Sequence, residues 1–137
     1  MLNFYEDFLI YSGAYYSVYF HAEAKNSSVV HEYFEGCDDV AQASLLFLVK
    51  RIADEGRIYD TTKFRIEDKG NKVYCFKPRS ERFFCFFFTG KKIIITSAHT
   101  KKKQKLDRGE LNKAIQIRNQ YFVRQSDGGY NEKVDIR

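Results

Sequence analysis

Four lysines fall within five residues at Lys101-Lys102-Lys103-Gln104-Lys105. Their ammonium groups repel one another, so they need either open water or a polyanion between them, and phosphate is the obvious counter-charge. The run follows an apolar stretch, Ile93-Ile94-Ile95-Thr96-Ser97-Ala98-His99, and precedes a helix start at Asp107. A strand end feeding a helix would hold the cluster in one place, whereas a solvated basic loop is the plain alternative for such a run taken alone. Arg82 is the second unusual cation, because it opens an otherwise apolar strand. It either snorkels to solvent from the strand end or offers phosphate a fixed, always-charged fork. Antiparallel pairing of residues 82–89 with 93–99 would set the start of one strand beside the end of the next, so that Arg82 meets the lysines at one sheet edge. Metal-free phosphodiester cleavage needs that convergence: cations on the scissile phosphate and a group to move protons. Clustered positive charge also lowers a lysine's pKa towards the range of a usable general base.

Other chemistries find little support. His21, His31 and His99 lie far apart, with no H-x-x-x-H spacing or carboxylate cluster beside them. No nucleophile elbow and no G-x-x-x-x-G-K loop is present. Cys37, Cys75 and Cys85 are odd in number and lack C-x-x-C spacing, which favours a reducing cytosol over a disulfide framework or zinc site. No apolar run reaches the ~18–20 residues of a membrane helix, and Met1 to Asp7 lacks the basic start of a secretory signal. The expectation is a cytoplasmic protein without metal or cofactor, and with no membrane partner.

Charge is strongly divided along the chain. Residues 1–62 carry 4 Lys and Arg against 10 Asp and Glu, whereas residues 63–124 carry 17 against 5. A net of +12 in that second block reads as an electrostatic footprint for nucleic acid.

The elements that must position these residues follow from pattern. Tyr15 to His21 is aromatic and β-branched and reads as a strand. Asn26-Ser27-Ser28 caps a short helix over Val29 to Phe34, ended by Gly36, and Asp38-Asp39 opens a longer one. Its stripe is Ala41, Leu45, Leu48 and Ile52, with Gly56 as the stop. The period then shortens: strands are expected over Lys63–Glu67, Val73–Lys77, Arg82–Thr89 and Ile93–His99. Both faces of Phe83-Phe84-Cys85-Phe86-Phe87-Phe88 are apolar, as in a central strand covered on each side. Asp107 with Glu110 has the spacing of a capping box and begins a helix carrying Leu111, Ala114, Ile115 and Tyr121-Phe122. The fold class is α+β: an N-terminal strand and α-hairpin packed on a small, mainly antiparallel sheet, with a C-terminal helix. At 137 residues, 44% of them hydrophobic with 13 Phe and 10 Tyr, one domain over residues 1–124 is expected, followed by a polar tail over 125–137.

Lys101-Lys102-x-Gln104-Lys105 followed by Glu110-Leu111-x-x-Ala114 resembles the C-terminal half of the HigB/RelE-type toxins of bacterial type II toxin–antitoxin pairs. The G-F-x-K-K-x-Q-K-T-P-x-x-E-I-x-x-A pattern of their phage-derived branch lies over Ala98 to Ala114 without a gap. The upstream order is also similar over roughly residues 15–124, with residues 1–14 an extension. Ala98 stands where the pattern has glycine, His99 where it has an aromatic, and Leu106-Asp107 where it has Thr-Pro. The resemblance implies a RelE/ParE-like fold and a small ribonuclease that cleaves mRNA, often on the ribosome, silenced by an antitoxin, here expected to be a helix-turn-helix protein. By the same resemblance Arg82 stabilises the phosphate, Lys101 and Lys102 bind RNA and activate the 2′-hydroxyl, and Lys105 is a further phosphate contact, with Arg79 and Lys103 beside it. His99 either protonates the 5′-oxygen leaving group or packs as an aromatic under the C-terminal helix. Two other readings stay open: a ParE-type relative that inhibits a protein target such as DNA gyrase, and an RNA-binding module without activity.

Overall fold

A computed structural model describes residues 6–126. In chain order the elements are β1 (Phe8–Ser12), β2 (Ser17–Phe20), α1 (Val29–Glu35), α2 (Asp39–Glu55), β3 (Phe64–Asp68), β4 (Val73–Phe76), β5 (Glu81–Phe88), β6 (Lys92–Thr100) and α3 (Arg108–Ser126). The strands form one sheet in the order β1-β2-β6-β5-β4-β3. Every neighbouring pair is antiparallel except β2 with β6, which is parallel because the α1–α2 hairpin and three strands intervene. The expected α+β arrangement is therefore the one found.

Helix limits fall where capping chemistry sets them. The Ser28 hydroxyl accepts from the His31 amide at 3.1 Å and donates to the His21 carbonyl, tying the start of α1 to the end of β2. Asp38 caps α2 by accepting from the Ala41 amide at 2.8 Å. The side-chain amide of Gln42 in turn donates to the carbonyls of Phe34 and Cys37, at 2.9 and 3.1 Å, tying the start of α2 to the turn that follows α1. Gly56 closes α2 at φ 88°, a left-handed conformation that glycine adopts without a Cβ penalty.

The sheet is covered on both faces. Towards α1 and α2 it presents Val18, Phe20, Phe76, Phe83, Ile93 and Ile95, packed with Leu45, Leu48 and Ile52. Towards α3 it presents Val73, Cys75 and Phe84 against Leu111 and Ala114, and Phe86 and Ile94 against Tyr121. Strand β5 is thus the central strand that its two apolar faces suggest, with Phe83, Phe84 and Phe86 each 1% exposed. Burial of each such ring is worth about 1.5–3 kcal/mol relative to exposure.

Three differences from the sequence reading concern where elements begin and end. β2 begins at Ser17, because the amides of Tyr15 and Tyr16 donate to the Ala53 carbonyl of α2 instead of to a neighbouring strand. Residues Phe8–Ser12, read as part of an extension, add an edge strand on β2. Helix α3 reaches Ser126, two residues into the expected tail, and residues 127–137 of that tail lie outside the described residues.

Candidate functional site

A single inserted residue decides which side chains share the site. In the β5–β6 ladder Phe84 pairs with Ser97 but Cys85 pairs with Ile95, so Thr96 is an extra residue in β6. The Thr96 hydroxyl donates to the Phe84 carbonyl at 3.3 Å, a hydrogen bond made at the bulge. Strict alternation from Ile93 and Ile95 would send His99 and Lys101 to the α1–α2 face. The bulge reverses this: Ala98 packs in the α1–α2 core, and His99 stacks on Phe84 of the α3 core, with centroids 5.7 Å apart and 19° between planes. Arg82 alternates with Phe83 and so joins His99, its register partner, on the α3 side.

His99, Lys101, Lys102, Lys103 and Lys105 line one depression of about 700 Å³, together with Tyr33 of α1 and Asp107, Arg108 and Glu110 at the start of α3. A narrower recess of about 60 Å³ adjoins it, sharing His99, Lys101 and Lys105 and adding Arg82 and Gln104. The convergence expected of Arg82 and the lysine segment is present: the Lys101 amide donates to the Ser80 carbonyl at 2.8 Å, fastening the run to the turn before β5. Arg79 enters neither space. It occupies that turn at φ 58° with its side chain exposed, and its carbonyl accepts from Nη1 of Arg82 at 2.8 Å. A second bond from Nη1 to the Glu81 carbonyl, also 2.8 Å, fixes the guanidinium further.

The electrostatics are one-sided. Among the described residues, none of Lys101, Lys102, Lys103, Lys105 or Arg82 has a carboxylate within 4.0 Å. Two cations at the recess are different: Lys77 and Arg65 both pair with Glu67, at 3.0 and 3.2 Å, so their charge is met inside the protein. The four lysine side chains are exposed. Asp107 accepts from the Glu110 amide at 3.0 Å and starts α3 as the capping pattern suggests. The reciprocal bond is not made, and Oε1 of Glu110 is buried without a hydrogen-bond partner, as is Nδ1 of His99.

The cysteines offer no reactive thiolate. Burial pushes Cys75 up to about 12 and raises Cys85 and Cys37 as well. Among the described residues no three His, Cys, Asp or Glu side chains form a metal-ligating group.

One wall of the depression escaped the sequence reading. The Tyr33 hydroxyl is 2.7 Å from the Thr100 hydroxyl and donates to Oε1 of Glu81, and Thr100 donates to the same oxygen at 2.9 Å. Burial first, and then the bond to Glu81, push the Tyr33 phenol up to about 12. Tyr33 is 48 residues from Glu81, and no local motif links them. The available signal was Glu81 itself, an acid at the head of an apolar strand inside the basic block.

A search of curated proteins finds none that matches the chain. A protein-family model described as "Phage derived protein Gp49-like (DUF891)" matches residues 32–119, a span that includes Tyr33, Glu81, Arg82, the lysine run and most of α3. The match covers well over half of the chain, so the protein belongs to this phage-derived Gp49-like family, a toxin-like family.

Proposed function

We propose that the chain is the HigB/RelE-type toxin of a toxin–antitoxin pair, an endoribonuclease that cuts mRNA at the lysine cleft. The observation that carries this reading is the set of un-neutralised cations, four lysines and Arg82, gathered around one imidazole. Arg82, pinned by two carbonyls, offers its remaining donors to the non-bridging oxygens, where charge builds as phosphorus becomes five-coordinate. Lys101 and Lys102 hold the RNA backbone and favour the 2′-oxyanion, and Lys105 takes a neighbouring phosphate. The 2′-oxygen bonds to phosphorus and the P–O5′ bond breaks, with the proton on the departing oxygen supplied by His99. The products are a 2′,3′-cyclic phosphate and a 5′-hydroxyl. A single-stranded RNA substrate suits the open cleft better than a duplex, whose 2′-hydroxyls are held in the A-form helix. In the cell the activity is held in check by a bound antitoxin.

The test uses purified protein and an RNA oligonucleotide, with and without ribosomes, followed by mass spectrometry of the fragment ends. The expected result is a cyclic phosphate and a 5′-hydroxyl, cleavage that persists in EDTA, and none at a 2′-deoxy nucleotide. Uncut RNA under all conditions, with DNA breaks on induction in cells, would instead favour a gyrase-directed toxin.

A further inference from the structure

The lysine cleft has an opposite wall that the chemistry above leaves unused. Tyr33 and Thr100 line it, whereas Glu81, which binds both their hydroxyls, is not among the lining residues. The two hydroxyls therefore separate the carboxylate from the cleft. Glu81 precedes Arg82 in sequence, but strand alternation turns its carboxylate to the α1 side and the guanidinium to the α3 side, so the two do not pair. A carboxylate thus stands behind two hydroxyls of the cleft wall, in a segment that is otherwise strongly basic.

We propose that Tyr33 and Glu81 form a proton relay that accepts the 2′-hydroxyl proton during RNA cleavage, an inference that rests on the cleft being a phosphodiester-cleaving site. As the 2′-oxygen bonds to phosphorus, its proton passes to the Tyr33 oxygen while the Tyr33 proton passes to Glu81. The P–O5′ bond breaks, and the departing oxygen takes a proton from His99. Glu81 gains one proton and His99 loses one, while the cyclic diester keeps the single charge of the linear one. Both side chains regain their starting state by exchange with water. Tyr33 stays neutral throughout, in keeping with the upward push that burial gives its phenol. Packing alone does not account for the hydroxyl: the Tyr33 ring already meets Phe83 edge to face at 5.8 Å, which phenylalanine would do equally well.

Tyr33→Phe and Glu81→Gln are measured in single-turnover cleavage, with binding of a 2′-deoxy oligonucleotide and thermal unfolding alongside. Each is expected to slow cleavage about 100-fold, the usual worth of a placed general base, with binding unchanged. The acidic limb of the pH–rate profile should be present in the wild type and absent in Glu81→Gln. Thr100→Val removes one hydroxyl from the same carboxylate, and its 2.7 Å contact with Tyr33, while leaving the sequence of α1 unchanged; it is expected to slow cleavage more mildly with the acidic limb retained, and it keeps the test open should Tyr33→Phe fold poorly. Cleavage at the wild-type rate by Tyr33→Phe and Glu81→Gln, with Arg82→Ala inactive, would overturn the relay and leave the cleft reading standing. Loss of the acidic limb in Glu110→Gln instead of Glu81→Gln would also overturn it. A wild type that cleaves nothing would sink both.

Discussion

Arg82 and His99 face one another across the β5–β6 ladder, and both lie on the α3 side of the sheet. The pairing sets a rigid cation next to the imidazole, with the first lysine of the run two residues further on, just past the end of β6. Arg82→Lys should therefore be nearly as damaging as Arg82→Ala. A lysine keeps the charge, but it cannot hold two backbone carbonyls and still present a planar fork. The expected loss is about 100-fold in single-turnover cleavage, comparable to removal of one oxyanion donor. Full activity in the lysine variant would show that only charge is required there.

The lysines predict a salt dependence. Binding of a non-cleavable single strand should weaken linearly in log–log form as salt rises, and removal of each lysine should reduce the slope by about 0.7. Fluorescence anisotropy titrations of Lys101→Ala and Lys102→Ala at several salt concentrations measure this directly. Arg79→Ala, outside the cleft, should leave the slope unchanged.

Much of this site was legible in the sequence, for reasons that differ residue by residue. Asp38, Gly56 and Asp107 mark helix ends by local chemistry, and the two apolar faces of Phe83 to Phe88 mark a central strand, so the frame could be drawn. The meeting of Arg82 with Lys101 followed from hairpin geometry alone. The Thr96 bulge could not be foreseen, because Ile93 to His99 reads as an unbroken strand and nothing local shows an unpaired residue. Tyr33 was missed for a different reason: its bond to Glu81 spans 48 residues and depends on how α1 is docked.

Strand β1, which was not distinguished from a simple extension, depends on a close backbone approach at Gly13. A Cβ there would lie 2.5 Å from both the carbonyl carbon and oxygen of Ala53, and 2.5 Å from the Asp54 carboxylate. Those backbone atoms are held in α2 and cannot move aside as a flexible side chain would. Gly13→Ala should cost about 1–3 kcal/mol in urea unfolding, the range for overpacking. An unchanged midpoint would mean that the β1–β2 turn is free to move off α2.

His21 predicts how stability responds to mild acid. It is 8% exposed, and burial lowers its pKa, although Asp7 and Glu23, with carboxylate oxygens 3.7 and 3.9 Å from its ring nitrogens, pull the other way and Arg124 adds to the lowering. The unfolded chain binds the proton near 6.5, whereas the folded chain holds the ring neutral to lower pH. Below that value the unfolded state carries more protons, so stability should fall as pH drops from neutral and should not depend on this group above neutral. The slope of Tm between roughly pH 7 and 5.5 should flatten in His21→Gln. An equal slope in both proteins would assign the acid sensitivity to other groups.

If the cations around His99 cut RNA, mapping mRNA 5′ ends in cells after induction will show the cuts. New 5′-hydroxyl ends within minutes of inducing the wild type, and none with Arg82→Ala or the Lys101→Ala/Lys102→Ala pair, are the predicted result. Growth arrest without new ends, or the same ends from those variants, would contradict it.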